Sequence, residues 1–198
     1  MSVASPPDPT ALAIAVGEPL ATAVLDGTAR ITPVTVPGLV DGAVWQVVDD
    51  VGEHPIRVYV GAWPDGRVRV LSGDQDAWAE LAAATRARVS STKVAVGYID
   101  AYLEATRGTM VRVQPIGGVA DIEWRPGSAD EEAAKAALLA DPPDLATVAE
   151  ATPGGFHVER ALVVDQRVQR NEFDVSHHGA ITASYEVLAE ALPLPIIR

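Results

Sequence analysis

The chain of 198 residues is 48% apolar and 21% charged, which excludes a mostly disordered segment and supplies enough apolar surface for a sizeable core. Its 27 acidic and 15 basic residues leave a net charge of −12, so nucleic acids and anionic membranes, which are held by clustered Lys and Arg, are poor partners. The absence of cysteine excludes disulfides, thiol nucleophiles, zinc–thiolate sites and iron–sulfur clusters.

Pro6, Pro7 and Pro9 make residues 1–9 a loose tail, and no signal-peptide pattern precedes Arg30. No apolar run reaches the ~20 residues that span a bilayer. A cytoplasmic protein is expected, with one α+β domain over 10–198, subdivision into 10–72 and 73–198 being the alternative. Nearly all the basic residues are arginine and alanine is abundant, a bias that points to a GC-rich bacterial genome.

From Thr10 to Asp26 the apolar positions Leu12, Ile14, Val16, Leu20 and Val24 predict a buried element, broken by Gly17 and Pro19, whose type the pattern leaves open. Arg30 to Val36 and Val44 to Val48 read as strands around the Pro37 and Gly38 breaker, and Ile56 to Gly61 with Arg67 to Leu71 as a hairpin about Pro64, Asp65 and Gly66. Asp74 caps a helix carrying Trp78 and Leu81 to about Arg88, and Ser91 caps a second with Ala95, Tyr98, Ile99, Tyr102 and Leu103 in its stripe. A further hairpin is expected from Met110 to Gln114 and Ala120 to Trp124. Ser128 and Glu131 form a capping box ahead of a helix that stops before Pro142, and Asp141 to Gly155 reads as a loop.

Three alternating runs from Phe156 to Glu190 predict an antiparallel meander. A two-residue turn at Asp165 and Gln166 sets Arg160 opposite Asn171 and Val158 opposite Phe173. A three-residue turn at His177, His178 and Gly179 sets Phe173 opposite Ala183 and Asn171 opposite Tyr185. Both turns put Phe156, Val158, Leu162, Val164, Phe173, Val175, Ile181, Ala183, Tyr185 and Val187 on one inward face, so Arg160, Asn171 and Tyr185 form a polar row in an apolar sheet.

That row is the candidate ligand site. A buried guanidinium demands an anionic or carbonyl partner, with Asn171 and Tyr185 as flanking hydrogen-bonding groups and Tyr98 and Tyr102 enclosing the ligand. The structural alternative is a snorkelling Arg160, or one paired internally with Glu131 or Glu132, and a plain core stripe for the tyrosines. His177 and His178 read as an exposed turn, His54 with Asp49, Asp50 and Glu53 as a polar turn, and His157 as an outward neighbour of Glu159. Ser90 to Lys93 matches S-x-x-K of penicillin-binding proteins, but the companion motifs are absent and helix capping accounts for the serines. There is no phosphate-binding loop, G-x-S-x-G or H-E-x-x-H, so no catalytic residue, metal or cofactor is assigned.

The pattern as a whole predicts α+β architecture, antiparallel sheet with three or four helices packed on one face. From Asp74 onward the order helix, helix, strand, strand, helix, three strands is similar to the cone of NTF2-like proteins, a resemblance that implies a small ligand between sheet and helices over 74–198. The expected function is a non-catalytic binding or accessory protein working through a protein interface, with another protein or a second copy of itself, as a homodimer, for partner; the alternative is a pocket protein or small cone-type enzyme that holds a small polar ligand at Arg160, Asn171 and Tyr185.

Overall fold

The computed structural model describes residues 6–51, 55–108 and 111–195. Two short helices, α1 (Pro9–Val16) and α2 (Leu20–Leu25), open the chain and resolve the element whose type was open. The Asp8 carboxylate accepts the N–H groups of Thr10 and Ala11 at 3.0 Å each, and proline at the first helical position lacks only an N–H that would be spare.

Strands β1 (Arg30–Val34), β2 (Ala43–Asp49), β3 (Ile56–Ala62) and β4 (Val68–Val70) form an antiparallel sheet in that order. Helices α3 (Gln75–Ala84) and α4 (Thr92–Thr106) follow, capped by Asp74 and Ser91 as expected. Then come β5 (Val113–Ile116), a 3-10 turn at Val119–Asp121, α5 (Ala129–Ala140) and β6 (Val148–Thr152). The meander β7 (Gly155–Val164), β8 (Arg167–Ser176) and β9 (Ile181–Ala189) completes a second antiparallel sheet, ordered β5-β7-β8-β9, with β6 also paired to β7.

Five layers result. Leu12, Leu20 and Val24 of α1 and α2 pack on Trp45, Val47, Val58 and Val60, one face of the first sheet. Its other face, through Val44 and Tyr59, meets α3 and α4, whose Trp78, Leu81, Tyr98 and Ile99 also meet Phe156, Val158, Phe173 and Val175 of the second sheet. On the far side of that sheet Ala161, Val163 and Val168 pack on Leu138 of α5 and on Leu192 and Leu194. Each such fully buried Leu, Ile or Phe contributes about 1.5–3 kcal/mol of transfer free energy, which makes the α3–α4 layer the main adhesive between the sheets.

The α+β class and the antiparallel sheets agree with the sequence pattern. The helices, however, number five among the described residues, and they lie on both faces of both sheets rather than on one. Ala120 to Trp124 is not a strand: the Asp121 carboxylate accepts the N–H groups of Gly117 at 2.7 Å and Gly118 at 3.1 Å, closing a 3-10 turn, and β5 pairs with β7 instead. Val148 to Thr152, read as loop, is a strand hairpinned to β7, with Thr152 opposite Gly155. The run from Asp74 thus loses one strand of the cone order and gains another. Met110, His54, Glu53 and residues 1–5 lie outside the described residues.

Candidate functional site

The meander register matches the turn lengths read from the sequence. Arg160 pairs with Asn171 and Asn171 with Tyr185, while Val164 meets Arg167 and Val175 meets Ile181. Gly179 sits at φ +79°, the left-handed conformation its turn requires, and a Cβ there would come within 2.7 Å of the Tyr98 hydroxyl.

The three side chains of the row do not share one environment. Arg160 is 15% exposed and its guanidinium is engaged within the protein: Nε and Nη2 donate to Asp100 of α4 at 3.1 and 2.6 Å, and Nη1 donates to Thr147 Oγ1 at 2.5 Å. The partner is therefore Asp100, not Glu131 or Glu132; Glu131 instead binds Arg125 at 2.5 Å. Asn171 is 9% exposed and its Nδ2 is buried with no hydrogen-bond partner. Tyr185 is 64% exposed, since the α3–α4 layer covers β7 and β8 and reaches β9 at Ile181 but not at Tyr185. Ala183 and Val187, assigned to the same inward face, are exposed for the same reason.

Tyr98 and Tyr102 are buried in the central layer. The Trp78 ring meets both edge-on, with centroids at 5.4 and 5.7 Å, and Tyr102 meets Phe173 at 6.4 Å. Trp78 Nε1 donates to the Tyr98 hydroxyl at 3.1 Å, and that hydroxyl donates to the Gly179 carbonyl at 3.0 Å. Burial pushes the Tyr98 phenol up to about 12, and raises Tyr102 as well.

Two surfaces stand out beyond the row. The first is β9, the outer strand of its sheet, bonded to β8 alone among the described residues and exposed along most of its length. The second is an open cleft of about 650 Å³ where the α3–α4 connection meets the β8–β9 turn, lined by Arg86, Arg88, Ser90, His177 and His178 over an apolar floor that includes Ala82 and Val89. Val89 N–H donates to the His177 carbonyl at 3.0 Å, and His177 Nδ1 lies 3.2 Å from the Val89 carbonyl. A carbonyl only accepts, so Nδ1 carries the proton and Nε2 is left free of that contact.

The two arginines of this cleft were not singled out from the sequence. A signal was present: between Glu80 and Asp100 no acidic residue occurs, although the chain is strongly acidic, while Arg86, Arg88 and Lys93 fall inside that interval. On the outer face of the second sheet, His157 faces Asp174 at 3.0 Å with Glu159 nearby, and the hydrogen bond to Asp174 raises its pKa against a smaller opposing effect of burial. Among the described residues no cluster of three or more His, Asp or Glu could hold a metal ion, and no helix is long and apolar enough to cross a membrane. Compared with protein-family models, with curated proteins and with solved structures, the chain gave no match.

Proposed function

We propose that the protein is a non-catalytic binding protein that works as a homodimer, β9 of one copy pairing antiparallel with β9 of the second. The observation that carries this reading is the bare edge. β9 runs nine residues with its outer backbone groups unpaired in the sheet, and Ala183, Tyr185 and Val187 are uncovered beside it. Pairing about a two-fold axis at Tyr185 would set each Ala183 against Val187 of the second copy and each Ser184 against Glu186. Apolar side chains then meet apolar ones, and the carboxylate of Glu186 avoids its own image.

Sedimentation equilibrium tests this reading. The unaltered chain should sediment as a dimer, more tightly in higher salt because two copies of charge −12 repel less when screened. Val187→Lys should give a folded monomer. A monomer for the unaltered chain at all accessible concentrations would end the proposal.

A second reading, a small polar ligand held at Arg160, Asn171 and Tyr185, is favoured by the unpartnered Nδ2 of Asn171. A carbonyl or carboxylate entering beside Tyr185 would accept that proton, and at a hundredfold its dissociation constant would add ~2.7 kcal/mol of stability. A thermal-shift screen of carboxylates, repeated on Asn171→Ala, reads this directly.

A further inference from the structure

We propose that the cleft between the α3–α4 connection and the β8–β9 turn binds a small organic oxyanion, a phosphate ester or carboxylate attached to an apolar body. The proposal is independent of β9 pairing and of the Arg160 row.

Charge is the first argument. The two segments that build the cleft are free of Asp and Glu, residues 81–99 on one side and 175–185 on the other, in a chain that carries 27 acidic residues. Arg86 and Arg88 on one wall, with no carboxylate in either segment, concentrate a positive field inside a molecule that is negative as a whole. The pairing pattern agrees. Eight arginines, Arg69, Arg112, Arg125 and Arg160 among them, each hold a carboxylate, whereas Arg86 and Arg88, like the scattered Arg57 and Arg167, form no ion pair among the described residues. The loop before β2 touches the same connection, since Arg88 N–H donates to the Gly38 carbonyl at 2.7 Å, yet its Asp41 pairs with neither arginine. Two guanidinium groups left without carboxylates present the forked donors that match a phosphate or carboxylate.

Rigidity is the second. Gly179 packs so closely on Tyr98 and Ala87 that an added Cβ would lie 2.7 Å from the hydroxyl and 2.8 Å from the Ala87 methyl. That contact fixes the His177–His178 turn against the connection, and the Val89–His177 backbone hydrogen bond fixes its register. Both walls are therefore set before a ligand arrives, which lowers the ordering cost of binding. The floor, with Ala82 and Val89 buried beneath it, supplies apolar surface for the body of the ligand.

Arg86 supplies the third. It follows α3 at φ +52°, the left-handed position that ends many helices and is ordinarily glycine, and its neighbours form the matching hydrogen bonds, Arg86 N–H to Ala83 and Ala87 N–H to Ala82. A long cationic side chain at such a place is held at a conformational cost, and the residue lines a cleft to which the described residues contribute no carboxylate.

The test titrates the protein with phenyl phosphate, benzoate, inorganic phosphate and, as a neutral control, benzyl alcohol, read by calorimetry and by backbone amide shifts. Saturable binding of phenyl phosphate or benzoate, with shifts centred on residues 86–90 and 177–179, is expected, and the tighter of the two assigns the oxyanion. Arg86→Gln with Arg88→Gln should weaken binding by about tenfold per arginine while the ligand-free melting temperature stays unchanged. Arg86→Gly should weaken binding yet raise the melting temperature, separating a ligand role from a folding role. Three outcomes would overturn the proposal: no saturation by either aromatic anion, equal affinity in the double variant, or equal binding of benzyl alcohol.

Discussion

The Tyr98 hydroxyl donates to the carbonyl of Gly179 across 3.0 Å, tying the middle of α4 to the turn between β8 and β9. The same oxygen accepts from Trp78 Nε1, so one buried atom links both central helices to the second sheet. Tyr98→Phe keeps the ring but orphans the Gly179 carbonyl and the indole N–H. A loss of ~1–3 kcal/mol is expected from urea unfolding, with amide exchange accelerated at the 177–179 turn before other parts of the sheet.

Alkaline titration should expose the same phenol. Its pKa is about 12 when folded against 10.0 as a free side chain, so above pH 10 the unfolded chain releases a proton that the folded chain retains. Stability contributed by this group is thus complete below pH ~10 and falls by about 2–3 kcal/mol as pH rises through the folded value. Tyr98→Phe should show a shallower alkaline loss; an unchanged slope would assign the effect to Tyr59 and Tyr102, whose phenols are also raised.

Arg160 and Asp100 form the polar bridge from β7 to α4. Removing the guanidinium leaves a carboxylate that retains partial access to water, so Arg160→Ala should cost ~1–3 kcal/mol, below the range for a fully buried pair. A double-mutant cycle with Asp100→Ala should return coupling of about 1 kcal/mol or more; no coupling would mean that Thr147 and packing hold the arginine.

His157 gains its proton more readily because Asp174 faces it. With the folded pKa raised, its contribution to stability is fully present below the unfolded value of ~6.5 and is lost as pH rises through the elevated folded one. Both partners reach solvent, which limits the effect to under about 1 kcal/mol. Chemical denaturation of His157→Gln between pH 5 and pH 8 should lack this step.

At position 86 a glycine should stabilise the fold. The residue sits at φ +52° with its side chain exposed, so Arg86→Gly should gain ~0.5–1 kcal/mol in urea unfolding. A loss instead would mean that the arginine has a structural partner.

How much of this was legible in the sequence depends on whether a feature is local. The pairing of Arg160 with Asn171 and of Asn171 with Tyr185 followed from the lengths of two turns, each marked by its own residues, and the caps Asp74, Ser91 and Ser128 marked their helices. What covers a strand is not local. Tyr185 has the alternation of an inward residue, and the α3–α4 layer, which reaches β9 only near Ile181, leaves it in solvent. The same holds for Asp100 as the partner of Arg160, sixty positions away and no better marked than Glu131. Val148 to Thr152 carries weak strand propensity and becomes a strand because β7 offers it an edge, while Asp121 diverts the neighbouring segment by binding back to Gly117 and Gly118.

Because α3 and α4 lie between the sheets and turn one side to each, the central cluster is shared by both halves of the chain. Severing the chain near residue 72 would bare an oily slab on both fragments, so they should precipitate or reassociate rather than survive alone, and the intact molecule should melt in one calorimetric transition.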